Sequence, residues 1–169
     1  MSASTEYDII VVGGGPAGAT AAHDLALQGH SVLLLDRAGR IKPCGGAIPP
    51  RLIRDFEIPD HLLKARISNA RMISPSGQVV QMPIDGGYVG MVDREEFDEW
   101  LRERAASGGA ERRKGTFSKI SRDPDGRSVV TYEARDDKGE TRTERVRARF
   151  VIGADGALSA VGKQAVPGA

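Results

Sequence analysis

The sequence predicts an α/β fold with a parallel βαβ core followed by antiparallel strands, and three observations support this fold class. Residues 8–12 form an apolar run without polar alternation, which is typical of a strand buried on both faces of a parallel sheet. A glycine-rich turn, a helical segment ending at Gly29 and a second apolar strand over residues 30–36 complete a βαβ unit. Residues 129–135 and 142–149 alternate charged and apolar side chains, which indicates antiparallel strands with one exposed face.

Composition and charge exclude several classes of protein. The chain has 169 residues, of which 40% are hydrophobic and 28% charged, and this is typical of one globular domain. The formal net charge is +1, whereas a nucleic-acid-binding protein usually carries a strong basic surplus. No apolar run approaches the ~18 to 20 residues that a membrane-spanning helix requires. We therefore expect neither a nucleic-acid partner nor a membrane span.

Cysteine and histidine usage argues against a metal site. Cys44 is the single cysteine, so it cannot form an internal disulfide, and a lone thiol fits a reducing compartment. The three histidines stand singly and lack ligand spacing with Cys44. Residues 1–7 carry no recognisable export signal. The sequence predicts a cytoplasmic protein without a metal centre.

The glycine-rich turn has the pattern Gly13-x-Gly15-x-x-Gly18. Gly13 permits a tight turn, Gly15 lets the backbone approach a pyrophosphate, and Gly18 lets the helix pack closely on the strand. The amides and the dipole at the start of the helix favour an anion there. Asp36, at the end of the second strand, is placed to accept hydrogen bonds from both ribose hydroxyls and would repel a 2′-phosphate. The motif predicts NAD or FAD, with a turn that binds no ligand as the alternative.

Several later elements can also be predicted. Residues 37–50 form a loop rich in Gly and Pro, where a nicotinamide-binding domain would continue with another helix and a third parallel strand. We predict a short helix over about 51–56 and a hairpin between residues 70–74 and 78–82. A longer helix follows Asp93.

In that longer helix, Asp93 and Glu96 match a capping box. Phe97 and Leu101 share an apolar face, and the helix is expected to end near Ala106.

The last part of the chain holds one more apolar strand and a basic run. The strand covers residues 150–153, is expected to be buried, and is followed by Asp155 between two glycines. Residues 157–169 are small and polar, so we expect no core-forming element there. The basic run at residues 112–114 is interpreted as a solvated edge or strand entrance, with a surface for an anionic diphosphate or a membrane as the alternative.

Three motifs in order resemble the FAD-dependent oxidoreductases of the aromatic-hydroxylase structural group: residues 13–18 with Asp36, residues 93–101, and residues 153–156 followed by Ser159. Within that group, the Lys-Pro-Cys-Gly-Gly-Ala-Ile-Pro segment resembles the geranylgeranyl reductases of chlorophyll and bacteriochlorophyll synthesis. The resemblance implies a Rossmann-like FAD-binding fold with a parallel βαβ core plus antiparallel strands of an incomplete substrate and β-meander region.

That resemblance also implies how the chain is organised. Members of the family are more than twice as long, so residues 1–169 would be the FAD-binding domain at the N-terminal end of a longer oxidoreductase. Residues 67–92 would begin the sheet of its substrate domain.

The resemblance further implies a set of cofactor contacts. The FAD pyrophosphate would be wrapped by Gly13, Gly15, Pro16, Ala17 and Gly18. Asp36 with Arg37 would bind the adenosine end. Arg94 matches the arginine that contacts the flavin cofactor, although pairing with Asp98 in a solvated helix is an alternative.

The flavin end would be contacted by two further segments. Asp155 and Gly156 would approach the ribityl and pyrophosphate region, with a simple turn former as the alternative reading of Asp155. Cys44, Gly45 and Gly46 would lie near the isoalloxazine ring. A buried, unreactive thiol is the alternative for Cys44, and a catalytic role for it is the weaker hypothesis.

By resemblance, the implied reaction is saturation of C=C bonds in a geranylgeranyl chain, on a (bacterio)chlorophyll ester or on the free diphosphate, to give the phytyl form. NADPH would be the electron donor. The partner would be this prenylated substrate, met at the surface of a photosynthetic membrane. A flavin monooxygenase or aromatic hydroxylase and an inactive nucleotide-binding fragment are the rival hypotheses, and we expect this chain alone to be inactive.

Overall fold

The computed structural model describes residues 6–37, 44, 46–136 and 138–168. Two compact units are present, one formed by Met1–Arg40 with Asp98–Ala169 and the other by Ile41–Phe97. The strands are β1 (Glu6–Val12), β2 (Val32–Asp36), β3 (Ala47–Ile48), β4 (Leu63–Ile67), β5 (Asn69–Ile73), β6 (Val79–Pro83), β7 (Val89–Val92), β8 (Glu111–Lys114), β9 (Thr116–Arg122), β10 (Ser128–Arg135) and β11 (Thr141–Gly153). The helices are α1 (Pro16–Leu27), α2 (Pro50–Asp55), α3 (Arg94–Ser107) and α4 (Ala160–Ala165), with a 3₁₀ turn at Asp60–Leu62.

The first unit contains a six-stranded sheet in the order β8-β2-β1-β11-β10-β9. β8, β2, β1 and β11 run parallel, whereas β10 is antiparallel to both β11 and β9. The long strand β11 joins the two parts, since Thr141 to Ala148 pair with β10 and Arg147 to Gly153 pair with β1. The prediction of a separate buried strand over residues 150–153 is wrong, because these residues continue β11 and Phe150 is 64% exposed. This architecture confirms the predicted fold class, a parallel βαβ core with antiparallel strands added to it.

The core of this unit is centred on β1 and β2. Ile10, Leu33 and Leu34 are fully buried, as the absence of polar alternation predicted. One face of the two strands packs on Val130 and Val146 of the antiparallel strands, and α1 packs against both strands.

Helix α4 was not predicted. Val161 is only 5% exposed and belongs to the main core cluster. The side chain of Gln164 accepts a hydrogen bond from the Ile120 amide and donates one to the Ser118 carbonyl, each at 3.1 Å, so it pairs with β9. The expectation that no core-forming element follows residue 157 is wrong, because a helix of six residues with one core side chain gives no periodic signal.

The basic run at residues 112–114 forms most of the edge strand β8, which pairs in parallel with β2. Arg112 and Arg113 are not solvated side chains. Arg113 donates hydrogen bonds to the hydroxyls of Tyr7 at 2.9 Å and Tyr132 at 3.2 Å, and Arg112 pairs with a glutamate of α3. The solvated-edge interpretation is therefore right about the edge and about the exposed Lys114. It is wrong about Arg112 and Arg113, which are 21% and 29% exposed, because partners distant in sequence cover much of their guanidinium groups.

The second unit consists of two small antiparallel sheets, β3-β7-β4 and β5-β6. The predicted hairpin is confirmed as β5 and β6, and the predicted short helix as α2. The short strands β3, β4 and β7 were not predicted. Whether this unit begins a substrate domain stays a prediction.

Helix α3 begins after Asp93 as predicted, and the Asp93 carboxylate accepts a hydrogen bond from the Glu95 amide at 2.9 Å. The reciprocal half of the predicted capping box is wrong, because the Glu96 carboxylate pairs instead with the Lys64 ammonium at 2.6 Å. Phe97 and Leu101 are buried, as the amphipathic pattern predicted. No helix within the described residues is long and apolar enough to cross a membrane.

Candidate functional site

The glycine-rich turn connects the carboxyl end of β1 to the first turn of α1. Gly13 has φ +107° and donates its amide to the Leu35 carbonyl at 2.8 Å. A Cβ atom at Gly13 would lie 2.4 Å from the carbonyl oxygen of Ala154, and one at Gly18 would lie 1.8 Å from the carbonyl oxygen of Gly13. Both positions require glycine because the backbone itself occupies the space of a side chain.

Gly15 is glycine for a different reason. It is the N-cap of α1 with an ordinary φ of −73°, and a Cβ placed there would meet no atom within 4 Å. The chain therefore tolerates a side chain at Gly15, and the open space beside it is available to a ligand. Pro16 follows at the first helical position, where its missing amide costs no hydrogen bond.

The start of α1 is suited to an anion. No acidic residue lies in its first turn, and no side chain of the described residues caps it. Free amides and the positive end of the helix dipole therefore face the open side of Gly15, while Ala17 is exposed in the same turn. A tight glycine turn with one open face and uncapped amides fits a diphosphate group.

Asp36 lies at the end of β2, beside this turn. Its Oδ2 atom accepts a hydrogen bond from the Gly14 amide at 2.6 Å, so the carboxylate adjoins the turn. The next residue, Arg37, lines a cavity of about 320 Å³. The cavity is lined by Arg37, Lys114, Gly115, Thr116, Glu133, Arg135 and Thr141. The structure thus brings Asp36 and Arg37 to the same edge of the sheet as the glycine turn.

Asp155 and Gly156 follow β11 at that same edge, where the Ala154 amide donates to the Val12 carbonyl at 2.8 Å. The Asp155 carboxylate accepts hydrogen bonds from the amides of Ala160 at 2.6 Å and Val161 at 3.2 Å and from the Ser159 hydroxyl.

Burial raises the pKa of the Asp155 carboxyl. The hydrogen bonds from Ser159 and from the backbone amides outweigh this and hold its pKa below the usual value. The structure thus gives Asp155 a role in starting α4. A carboxylate has about four acceptor positions, and hydrogen bonds from the chain already use three of those of Asp155. A contact between Asp155 and a cofactor stays a prediction.

The remaining predicted contacts belong to the second unit. Cys44 is exposed, so the alternative of a buried, unreactive thiol is wrong. Gly46 has φ +67°, and a Cβ there would lie 2.0 Å from the carbonyl oxygen of Val92, so packing against β7 explains this glycine. Arg94 is the first residue of α3, and Gly45 lies outside the described residues.

A group of charged residues in contact with the glycine turn was not predicted from the sequence. Arg102 of α3 donates from Nη1 to the Gly14 carbonyl oxygen at 3.1 Å. Glu99 binds both Arg102 and Arg112, the latter through two contacts of 2.6 and 2.8 Å. The spacing of Glu99 and Arg102 on one helix signals an ion pair, but no local signal points to the glycine turn.

Comparison with known proteins agrees with this geometry. A family model described as FAD binding domain matches residues 6–167. The chain is 63% identical over 156 residues to the geranylgeranyl diphosphate reductase of Rhodobacter capsulatus, covering 92% of this chain and 39% of that protein. It is 43% identical over 165 residues to the chloroplastic geranylgeranyl diphosphate reductase of Nicotiana tabacum, covering 92% of this chain and 35% of that protein.

A solved structure is also similar, that of a geranylgeranyl bacteriochlorophyll reductase-like protein from Thermoplasma acidophilum. Its TM-score is 0.76 at 26% identity, and the match covers 90% of this chain and 40% of that one. The chain thus spans well under half the length of these relatives. Because the family model matches nearly all of its residues, the chain belongs to the FAD-binding domain family.

Proposed function

We propose that this chain is the FAD-binding part of a geranylgeranyl reductase, an oxidoreductase that saturates C=C bonds of a geranylgeranyl chain to give the phytyl form. The observation that carries the proposal is the 63% identity, over 92% of the chain, to a protein named geranylgeranyl diphosphate reductase. Because the first unit also supplies an anion-binding turn that fits the FAD pyrophosphate, sequence similarity and local geometry support the same function.

The residues of the first unit would hold the adenosine and pyrophosphate portions of FAD. The turn from Gly13 to Gly18 presents backbone amides to the pyrophosphate, and the open side of Gly15 gives it room. Asp36 would accept hydrogen bonds from the ribose, with Arg37 beside it. Asp155 and Gly156 would complete this edge, and Gly156 also has open space where its side chain would be.

Contacts to the flavin portion are proposed for four further residues. Arg94, Cys44, Gly45 and Gly46 remain the proposed residues. When bound and reduced by two electrons, the flavin would supply the hydride for an alkene carbon and return to its oxidised form. An isolated alkene accepts hydride poorly, so the protein must also deliver a proton to the other carbon. Cys44 stays the weaker hypothesis for that role, since its exposure is the one observation that favours it.

We also propose the electron donor and the site of action. NADPH would supply the electrons, as the reduction of an alkene requires an external reductant. Of the two candidate substrates, we propose geranylgeranyl diphosphate and not the pigment ester, because the relatives at 63% and 43% identity are named for the diphosphate. Such a long prenyl chain partitions into lipid, so the cytoplasmic surface of a photosynthetic membrane is the proposed location.

FAD retention tests the cofactor part of this proposal. The purified chain is mixed with FAD, the excess is removed, and the flavin absorption is compared with the protein concentration. We expect about one flavin per chain, and we expect Gly15→Val to lose it. Since a Cβ atom at Gly15 meets no atom of the chain within 4 Å, the loss of unfolding free energy without FAD should be limited to the N-cap preference for glycine over valine, about 1 kcal/mol.

A wild-type chain that retains no flavin would contradict the proposal that this chain holds FAD by itself. The reductase part requires the longer protein that carries this segment. Consumption of NADPH with geranylgeranyl diphosphate, and a product heavier by the mass of the added hydrogens, would support it. Oxygen consumption with hydroxylated product would instead favour the monooxygenase.

A further inference from the structure

Two adjacent peptide groups of the glycine turn are each held by a charged side chain. The Gly14 amide donates to Asp36 Oδ2 at 2.6 Å, and the Gly14 carbonyl oxygen accepts from Arg102 Nη1 at 3.1 Å. The Asp36 carboxylate therefore fixes the Gly13–Gly14 peptide, and the Arg102 guanidinium fixes the Gly14–Gly15 peptide. Both contacts lie within the first unit.

The second contact determines the direction of the Gly15 amide. Among the described residues no peptide bond is cis, and in a trans peptide the carbonyl and the following N–H point in opposite directions. With its carbonyl held by Arg102, the Gly14–Gly15 peptide turns its N–H away from the guanidinium. Because glycine flanks this peptide on both sides, little else resists its rotation.

Arg102 is itself held in position. Its Nε and Nη2 atoms donate to Glu99 Oε2 at 3.0 and 2.8 Å, and Glu99 is also bound by Arg112 of β8. The side chains of Arg102 and Arg112 are 15% and 21% exposed. Hydrogen bonds from Arg112 and then from Arg102 lower the pKa of Glu99 to about 2, although burial opposes this. The Glu99 carboxylate therefore stays ionised near neutral pH and keeps its ion pairs with Arg102 and Arg112.

We propose that Arg102 is a positioning residue for the cofactor diphosphate: it locks the Gly14–Gly15 peptide so that the turn presents an amide, and not a carbonyl oxygen, to the anion. The inference rests on the proposed FAD site and adds a residue to it. Arg102 touches the backbone of the turn and acts on the ligand through that backbone. A ligand that lacks the phosphates does not depend on this peptide.

The test compares ADP, which carries the diphosphate, with adenosine, which does not. Dissociation constants of both are measured for the full 169-residue chain and for Arg102→Ala. We expect Arg102→Ala to weaken ADP binding about tenfold, the effect of one hydrogen bond from a charged donor. Adenosine affinity should change less than about twofold. A general loss of folded protein would weaken both ligands equally, so the ratio of the two constants separates positioning from stability.

Two further variants act as controls. Arg122 also donates to a glycine carbonyl, that of Gly126 at 3.1 Å, in a turn elsewhere, and Arg122→Ala should leave the ADP-to-adenosine ratio unchanged. Arg102→Lys keeps the positive charge, but one ammonium cannot reproduce the guanidinium contacts to both Glu99 and Gly14. We therefore expect it to weaken ADP binding nearly as much as Arg102→Ala.

Each contrary result has a distinct meaning. If the wild-type chain binds ADP and FAD but Arg102→Ala leaves the ratio unchanged, the inference is wrong and the proposed FAD site stands. If Arg102→Lys restores ADP affinity, positive charge explains the effect and the peptide lock is wrong. If the wild-type chain binds neither ADP nor FAD, the proposed FAD site fails and the inference fails with it.

Discussion

At the scale of single residues, the glycines of the turn fall into two kinds. At Gly13 and Gly18 a Cβ atom would overlap a backbone carbonyl, whereas at Gly15 it would project into empty space. The first kind is required by the fold of the chain alone. The second kind leaves room for a ligand that approaches the backbone closely, at an N-cap position that also favours glycine. Substitution of the two kinds should therefore affect different measurements.

Gly18→Ala should destabilise the protein even though alanine favours a helix. Helix propensity alone would stabilise the variant by about 1 kcal/mol. The new Cβ would lie 1.8 Å from the Gly13 carbonyl oxygen and 3.0 Å from the Ala154 Cβ atom, and neither backbone segment can move without breaking sheet contacts. We expect a net loss of about 2 kcal/mol in unfolding free energy, measured by urea unfolding without FAD. A variant as stable as the wild type would show that the first turn of α1 can shift away from β1.

At the scale of secondary-structure elements, an ion-pair cluster joins α3 to β8. Glu99 of α3 binds Arg112 of β8 and Arg102 of its own helix, and the pKa of Glu99 is lowered to about 2. In the unfolded chain the same carboxyl titrates near its ordinary value of about 4.3. This contribution to stability is complete above pH ~4.3 and is lost as the pH falls toward 2, because the unfolded state then binds the proton more tightly.

Glu99→Gln should therefore flatten the acid side of the stability profile. The difference in unfolding free energy between the wild type and the variant should be largest near neutral pH and should shrink between pH ~4.3 and ~2. Because the Glu99 side chain is 42% exposed, added salt should reduce the difference. Glu103→Gln, on the same helix without a resolved partner in the described structure, serves as the control. A difference that is constant with pH would contradict a lowered pKa.

The elements also show what the sequence could predict. β1, α1, β2 and the β5-β6 hairpin have local signals, namely apolar runs, glycines and turn residues, and these were found. β8 consists of Glu-Arg-Arg-Lys. Its two arginines can lie half-buried in a strand because Glu99 of α3 and Tyr7 of β1 accept their hydrogen bonds. The prediction that Glu96 caps α3 is wrong because its carboxylate accepts a hydrogen bond from the Lys64 ammonium. Such contacts join residues far apart in the chain, so local patterns do not contain them.

The residues of the candidate site also divide into those that local patterns predict and those that only the tertiary structure shows. The sequence placed Gly13, Gly15, Gly18 and Asp36 at one edge of a parallel sheet because the βαβ unit has few arrangements. The contact of Arg102 with the turn could not be predicted, since the spacing of Glu99 and Arg102 signals only an ion pair within α3. Only the tertiary structure shows that Arg102 reaches the turn.

At the scale of the whole molecule, the β5-β6 hairpin has an apolar face with no cover among the described residues, and Ile73 and Val79 on its other face are exposed as well. The register pairs Ala70 with Met82 and Met72 with Val80, which places these four side chains on the same face. Met72, Val80 and Met82 are 61%, 59% and 45% exposed. A two-stranded hairpin is marginally stable by itself, and the relatives at 63% and 43% identity are more than twice as long as the matched segment.

The isolated chain should therefore self-associate through this face. Contact between two such faces removes apolar surface from water, at about 25 cal/mol for each Å² buried, and exposed apolar patches of this kind commonly mediate association. Met72→Lys should shift the chain toward the monomer in sedimentation velocity at micromolar concentration. Ser76→Lys adds the same charge to the turn of the same hairpin, between the two strands and outside both of their faces, and should leave association unchanged. Equal effects of the two substitutions would show that net charge, and not the apolar face, controls association.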